Sequence, residues 1–297
     1  MTLLRILPIA MFLLACSPRN DADRQPALAP KAPVQVANVM AVTKPAPDAE
    51  RPLTGQQRME QAWMRALFGA AYDAREQQAL VDLAIDGASA PHWMTLVAST
   101  ALPDGRVALV VNAMPWDKDG PDMPGIATEG LLNVYLLRRD GDAWAVDQRH
   151  QNLTSMGGMG RIGEVRWVSP GADKPGFIVT ARLFNRGDAY AYSKIYELGN
   201  GVRELANLML SSNNADGCTP ERDACWDIEG AIRFAEPPAD GYADMLVEFT
   251  GKTYRLVDSE AQEPVEQVLK PVSETVRYRF DGKAYAKVSG TNPISDS

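Results

Sequence analysis

Histidine and cysteine are scarce in this 297-residue chain, which has two histidines and three cysteines. A histidine-rich zinc site and a dense disulfide scaffold are therefore excluded. The G-x-S-x-G motif, which carries the nucleophilic serine of many hydrolases, does not occur. Acidic residues number 38, too many for the sequence to single out a catalytic pair, so we predict no catalytic residue.

Negative charge exceeds positive charge, with 38 acidic and 30 basic side chains and a formal net charge of −8. Such a surface repels nucleic acid, so we expect no nucleic-acid partner. Apolar residues make up 45% of the chain, which is typical of a globular protein. After the first 15 residues no apolar run is long enough for a transmembrane helix. No cofactor motif stands in a suitable setting, so we expect no cofactor.

The N-terminal residues 1–15 carry one positive charge, Arg5, followed by a short apolar run that ends at Leu14. This arrangement is typical of a secretory signal peptide, and the run is too short to cross a bilayer permanently. We therefore predict that residues 1–15 are a signal peptide.

The run Leu13-Leu14-Ala15-Cys16 resembles the lipobox of bacterial lipoproteins. The resemblance implies cleavage before Cys16 and acylation of that cysteine, and several acyl chains anchor a protein stably. Ser17, in place of an aspartate after the cysteine, implies transport to the outer membrane, where the protein would face the periplasm. The alternative is an ordinary secretory signal with an incidental cysteine.

Residues 16–53 are rich in alanine and proline and lack sustained apolar periodicity. This composition predicts a disordered tether that holds the rest of the chain away from the membrane. The remaining residues, 54–297, are sufficient for a single globular domain. We predict that this body is helical over residues 54–90 and consists of β-repeats over residues 91–297.

The start of the body carries a helix signal, because Thr54 followed by Gln57 matches a capping box. Apolar residues then recur at helical spacing, which predicts an amphipathic helix to about Tyr72. A second helix is predicted over residues 74–85, ended by Asp86-Gly87.

Three β-type runs in the remainder resemble one another, and each follows a glycine-containing turn: residues 107–111, 177–180 and 245–249. Their central valines stand 69 and 68 residues apart: Val110, Val179 and Val247. Each run is preceded by another apolar run and followed by a hairpin, with turns at Asp140-Gly141, Asn200-Gly201 and Asp281-Gly282. We therefore predict a mainly β body of three repeated four-stranded antiparallel meanders.

The third copy resembles a known repeat family. The run Asp240-Gly241-Tyr242-Ala243-Asp244-Met245-Leu246-Val247 is similar to the Asp-Gly-x-x-Asp-apolar core of FG-GAP and VCBS-type β-propeller repeats. The resemblance implies propeller-like blades. Three copies are fewer than the four blades that propellers typically need, so an incomplete propeller and a stack of sheets both stay open.

Cys218 and Cys225 are the two cysteines of the body, with six residues between them in a polar loop. In an oxidising envelope such a pair forms a disulfide, which is our prediction. A redox or metal-binding pair is the alternative.

Two further motifs have the spacing of ligand sites. Asp117, Asp119 and Asp122 space carboxylates as a calcium loop does, and a solvated loop is the alternative. Residues 158–163 match the dinucleotide-binding string G-x-G-x-x-G. Such a site needs a buried strand before the string and a helix after it, and neither is predicted here. We therefore predict a glycine-rich connection between two repeats.

The long connections between the predicted strands are the best candidates for contact with a partner, because loops on a rigid scaffold carry most binding sites. They comprise residues 114–130, 154–163, 182–189 and 211–223. We expect a non-catalytic recognition module for a protein of the envelope, such as an assembly component or a toxin. The alternative is a periplasmic hydrolase that acts on glycans or lipids through carboxylates.

Overall fold

The computed structural model describes residues 53–116, 124–185, 187–222, 224–238, 241–259 and 263–294. This part begins with one α-helix, α1 (Gly55–Phe68), followed by a 3-10 turn at Gly69–Ala71. The predicted capping box is confirmed. The Thr54 Oγ1 accepts from the Gln57 backbone N–H at 3.1 Å, and the Gln57 Oε1 accepts from the Thr54 N–H at 2.9 Å.

Fourteen β-strands make up most of the described residues and form two antiparallel sheets, each with its strands in chain order. The first sheet has six strands: β1 (Tyr72–Asp73), β2 (Gln78–Ile85), β3 (Ala88–Ala101), β4 (Val107–Pro115), β5 (Gly130–Asp140) and β6 (Ala143–Met156). The second has eight: β7 (Glu164–Gly171), β8 (Lys174–Asn185), β9 (Asp188–Leu198), β10 (Val202–Asn213), β11 (Cys225–Phe234), β12 (Met245–Val257), β13 (Val265–Phe280) and β14 (Tyr285–Ser289). The prediction of a mainly β body with a short N-terminal helix is confirmed.

The prediction of a second helix over residues 74–85 is wrong, because this segment forms β2. Every residue from Gln78 to Ile85 pairs with β3. Asp86 and Gly87 have positive φ angles of 50° and 84°, so they form the hairpin turn between β2 and β3 and do not end a helix. Cross-strand pairing outweighs the helical propensity of so short a segment.

The central strands of the first sheet, β4 and β5, are buried on both faces. Side chains along β4 alternate between two clusters, as the two-residue period of a strand requires. Leu109 packs in the cluster beneath α1 that contains Trp63. Val110 lies on the other face, in a cluster shared with Val179 of the second sheet.

The second sheet folds over itself. Strands β10 and β11 share three residue pairs, which involve Ser211, Ser212 and Asn213 of β10. Side chains from both halves of the sheet, such as Ile195 of β9 and Val247 of β12, meet in one buried cluster. The half β7–β10 therefore has the first sheet on one face and the half β11–β14 on the other.

The prediction of three separate four-stranded meanders is not confirmed, because the strands join into sheets of six and eight. Strands β1 and β2 extend the first sheet. The pairing of β10 with β11 joins a strand of the second predicted meander to a strand of the third. Among the predicted hairpin turns, Gly141 and Gly282 have positive φ angles of 61° and 102°. The Asn200-Gly201 turn forms without a positive φ at either residue.

Candidate functional site

The connections after β4, β6, β8, β10 and β12 lie at one end of the sheets, because consecutive antiparallel strands alternate in direction. Contacts show that both sheets share this end. A Cβ built on Gly158 would meet Ile126 in the connection after β4 and Leu183 near the end of β8. Gly187 likewise lies against the backbone of Gly217, in the connection after β10. We call this region the long-loop end, and it brings together the described parts of all four connections predicted to contact a partner.

The glycine-rich connection 157–163 is a tightly packed turn held by the buried Asn112 of β4. The Asn112 Nδ2 donates to the Gly160 carbonyl at 2.8 Å, and the Asn112 Oδ1 accepts from the Ile162 N–H at 3.1 Å. A Cβ on Gly157 would collide with the backbone of the turn itself. The glycines are therefore required for packing, and strand β7 follows the turn where a dinucleotide site would have a helix.

The connection after β10 contains the predicted disulfide. The structure pairs Cys218 with Cys225 at disulfide distance, with their Cα atoms 5.8 Å apart. The buried Asn214 stabilises the same connection, since its Oδ1 accepts from the Trp226 N–H at 2.7 Å. The Trp226 Nε1 in turn donates to the Ser212 hydroxyl at 2.7 Å. The base of this loop is thus fixed to strands β10 and β11.

A cleft of about 260 Å³ opens at the long-loop end beside β8, β10 and β11. Its lining contains the carboxylates of Asp216, Asp227 and Glu229. The Asp227 Oδ1 accepts from the Asn213 Nδ2 at 2.8 Å, which fixes the orientation of that carboxylate. The exposed ring of Phe184 also lines this cleft.

Exposed apolar side chains are concentrated at the long-loop end. Four of them belong to the connections or strand ends there: Trp116 (36% exposed), Ile126 (67%), Met159 (46%) and Phe184 (66%). The hairpin of β12 and β13, whose turn is at the same end, adds Val265, Val268 and Leu269. These seven residues are a majority of the twelve exposed large hydrophobic residues in the described part of the chain.

The opposite end carries polar clusters that fasten the connection between β11 and β12. The Arg279 Nε donates to the Asp244 Oδ1 at 3.1 Å, and Arg277 also pairs with this carboxylate, so the pKa of Asp244 lies below its usual value. The Tyr242 hydroxyl donates to the Glu197 Oε1 at 2.7 Å. Burial, together with that carboxylate, raises the pKa of Tyr242 to about 12. Asp244, which is part of the propeller-like motif, therefore forms ion pairs with two arginines.

No group of three or more His, Cys, Asp or Glu side chains within the described residues is close enough to hold a metal ion. The calcium candidates Asp117, Asp119 and Asp122 lie outside the described residues, as do Cys16, the signal peptide and residues 16–52 of the tether. Their roles stay predictions. In the same described part, no helix has the length and apolar content to cross a membrane.

The sequence predicted the connections but not the side chain that holds one of them, Asn112, or the exposed ring beside another, Phe184. The role of Asn112 could have been predicted, because a polar residue inside the apolar run of β4 indicates a buried hydrogen-bonding role. The exposure of Phe184 could not have been predicted, because the same strand, β8, also contains the buried Phe177. Only the packing around the strand distinguishes the two rings.

A comparison with protein-family models found no match, and comparisons with curated proteins and with solved structures found none either.

Proposed function

We propose that this chain is a lipoprotein of the bacterial outer membrane, anchored through Cys16, whose periplasmic body recognises another protein without catalysing a reaction. The lipobox-like run that ends at Cys16 and the proline-rich residues 16–53 support the anchor and the tether. One observation carries the recognition role, namely the concentration of exposed apolar side chains at the long-loop end.

Exposed apolar surface of this kind favours a protein partner, because covering it removes apolar area from water. Trp116, Met159 and Phe184 are also of the residue types that are enriched at protein interfaces. The loops rest on a rigid scaffold, and Asn112 and the Cys218–Cys225 pair hold two of them in place. Loops that are already ordered lose little conformational entropy on binding.

We further propose that twelve of the fourteen described strands, all except β1 and β2, form three copies of one four-stranded unit: β3–β6, β7–β10 and β11–β14. Val110, Val179 and Val247 lie on the second strand of each unit, and all three are fully buried. Their regular spacing and the propeller-like motif of the third copy support the same division. Repetition of a unit places the connection after its second strand at the same end each time, which accounts for the clustering of loops.

A second candidate is a hydrolase that acts on glycans through carboxylates. The observation that favours it is the cleft lined by Asp216, Asp227 and Glu229. On this alternative the protein releases soluble sugar fragments from cell-wall glycan, and Asp227→Asn abolishes the release. On the recognition hypothesis neither the native protein nor D227N releases fragments.

Substitution of exposed apolar residues tests the recognition hypothesis. The full-length chain carrying Ile126→Ser, Met159→Ser and Phe184→Ser should lose the protein captured by the tagged native chain in living cells. All three side chains are exposed, so we expect the melting temperature to stay within a few degrees of the native value.

The matched control replaces three exposed apolar residues that lie outside the long-loop end: Leu53, Met59 and Val288. This control variant, with serine at those positions, should capture the same partner as the native chain. Equal loss of capture by both triple variants, or no loss by either, would contradict a recognition role for the long-loop end.

A further inference from the structure

A second cleft, of about 360 Å³, opens between helix α1, strand β3 and strand β7. It reaches Gln77 in the connection between β1 and β2, which lies at the opposite end of the first sheet from the long-loop end. Its volume falls within the range of small-molecule sites. The cleft is therefore separate from the surface assigned above to protein recognition.

Glutamine amides dominate the polar lining of this cleft, and three of them come from α1: Gln56, Gln57 and Gln61. One hydrogen bond fixes each amide. The Gln56 Nε2 donates to the Glu60 Oε1 at 2.9 Å, the Gln57 Oε1 accepts from the Thr54 N–H, and the Gln61 Nε2 donates to the Ala74 carbonyl at 3.4 Å.

The other end of each of these amides makes no hydrogen bond within the described residues. The free groups are one donor, the Gln57 Nε2, and two acceptors, the Oε1 atoms of Gln56 and Gln61. Gln56 and Gln57 are exposed side chains in the lining, so these unpaired groups are accessible to a ligand whose groups both donate and accept, as hydroxyl groups do.

Gln77 is a fourth glutamine in the lining of the same cleft. Its φ angle is +55°, in the left-handed region that residues other than glycine, asparagine and aspartate seldom adopt. Gln77 ends the turn of residues 74–77, and this turn carries its side chain to the edge of β2 beside the cleft.

The charge of the lining indicates a neutral ligand. Among the described residues that line the cleft, Glu60 is the one carboxylic acid, and no lysine, arginine or histidine is present. The Tyr72 phenol is also uncharged at neutral pH, because burial moves its pKa further above the ordinary value of 10.0. None of these described lining residues therefore offers a cation to a phosphate or carboxylate ligand.

Two aromatic rings complete the lining, those of Tyr72 and Trp167. Trp167 is held edge-on against Phe177 of the core, with their ring centroids 5.7 Å apart. We propose that the cleft binds a neutral saccharide, whose hydroxyl groups bond to the glutamine amides while its C–H surface packs against these rings. This inference does not rest on the recognition function.

Calorimetric titration of the full-length chain in detergent tests the proposal, with two probes, the tetramer of glucose and the tetramer of N-acetylglucosamine. At least one tetramer should bind with a submillimolar Kd. Gln56→Ala and Gln77→Gly should each weaken that binding about fivefold, which corresponds to the loss of one neutral hydrogen bond.

Gln77→Gly separates binding from folding, because glycine adopts a positive φ without strain and the melting temperature should not fall. The matched control is Gln267→Ala, at an exposed position on β13, which should bind as the native chain does. The proposal is wrong if neither tetramer binds, or if Q56A and Q77G bind with the affinity of the control.

Discussion

Replacement of Asn112 by alanine tests whether the long-loop end is held by the core. The Asn112 side chain is 5% exposed and makes two hydrogen bonds to the turn 157–163, one to the Gly160 carbonyl and one from the Ile162 N–H. A net loss of about 1 kcal/mol for each bond, with a further cost for the buried groups left unpaired, gives a destabilisation of about 3 kcal/mol.

Thermal unfolding measures this effect. For a domain of this size we expect the melting temperature of N112A to fall by about 6–12 °C. Met159 lies in the released turn, so cleavage there by a protease should also become faster. The matched control is Asn207→Ala, at an exposed position on β10, where we expect a change of less than about 0.5 kcal/mol. A loss below about 1 kcal/mol for N112A would show that contacts other than those of Asn112 hold the turn.

The remaining predictions concern charge, the membrane anchor and the disulfide. Asp244→Asn should destabilise the body by about 1 kcal/mol at pH 7, because the carboxylate pairs with two partly exposed arginines. Since the folded-state pKa of Asp244 lies below its ordinary value of 3.8, this stabilisation is present above that pH and is lost as the pH falls through the folded-state pKa. The free energies of unfolding of the native chain and of D244N should therefore differ at pH 7 and converge in acid. Cys16→Ala should release the protein from the membrane fraction, and retention of the variant there would reject the lipid anchor. Reduction of the Cys218–Cys225 bond should lower the stability by about 2.5 kcal/mol, and two thiols that are already free before reduction would reject the disulfide.

Local signals in the sequence located most of the strands and the first helix. The capping box at Thr54 and the apolar run 107–111 after a glycine-containing turn depend on short-range rules, and both α1 and β4 form where those rules place them. The glycine-rich string is followed by strand β7 and not by a helix, as its local features indicated, but β6 extends to Met156 just before it, where no strand was predicted.

The failures of prediction have a common physical cause, which is contact between distant segments. Residues 78–85 have apolar positions compatible with a helix, and pairing with β3 makes them a strand. The junction of β10 with β11 depends on three cross-strand pairs that no local pattern specifies. The exposure of Phe184 and the cleft beside α1 likewise arise only when the sheets and the helix pack together.

Site-specific photo-crosslinking in living cells is the most direct test of the recognition function. The full-length chain would carry a photoreactive residue in place of Phe184 at the long-loop end, or in place of the exposed Lys283 at the opposite end. The account predicts a discrete covalent adduct with one protein from position 184 and none from position 283. Adducts of equal yield from both positions, or no protein adduct from position 184, would contradict it.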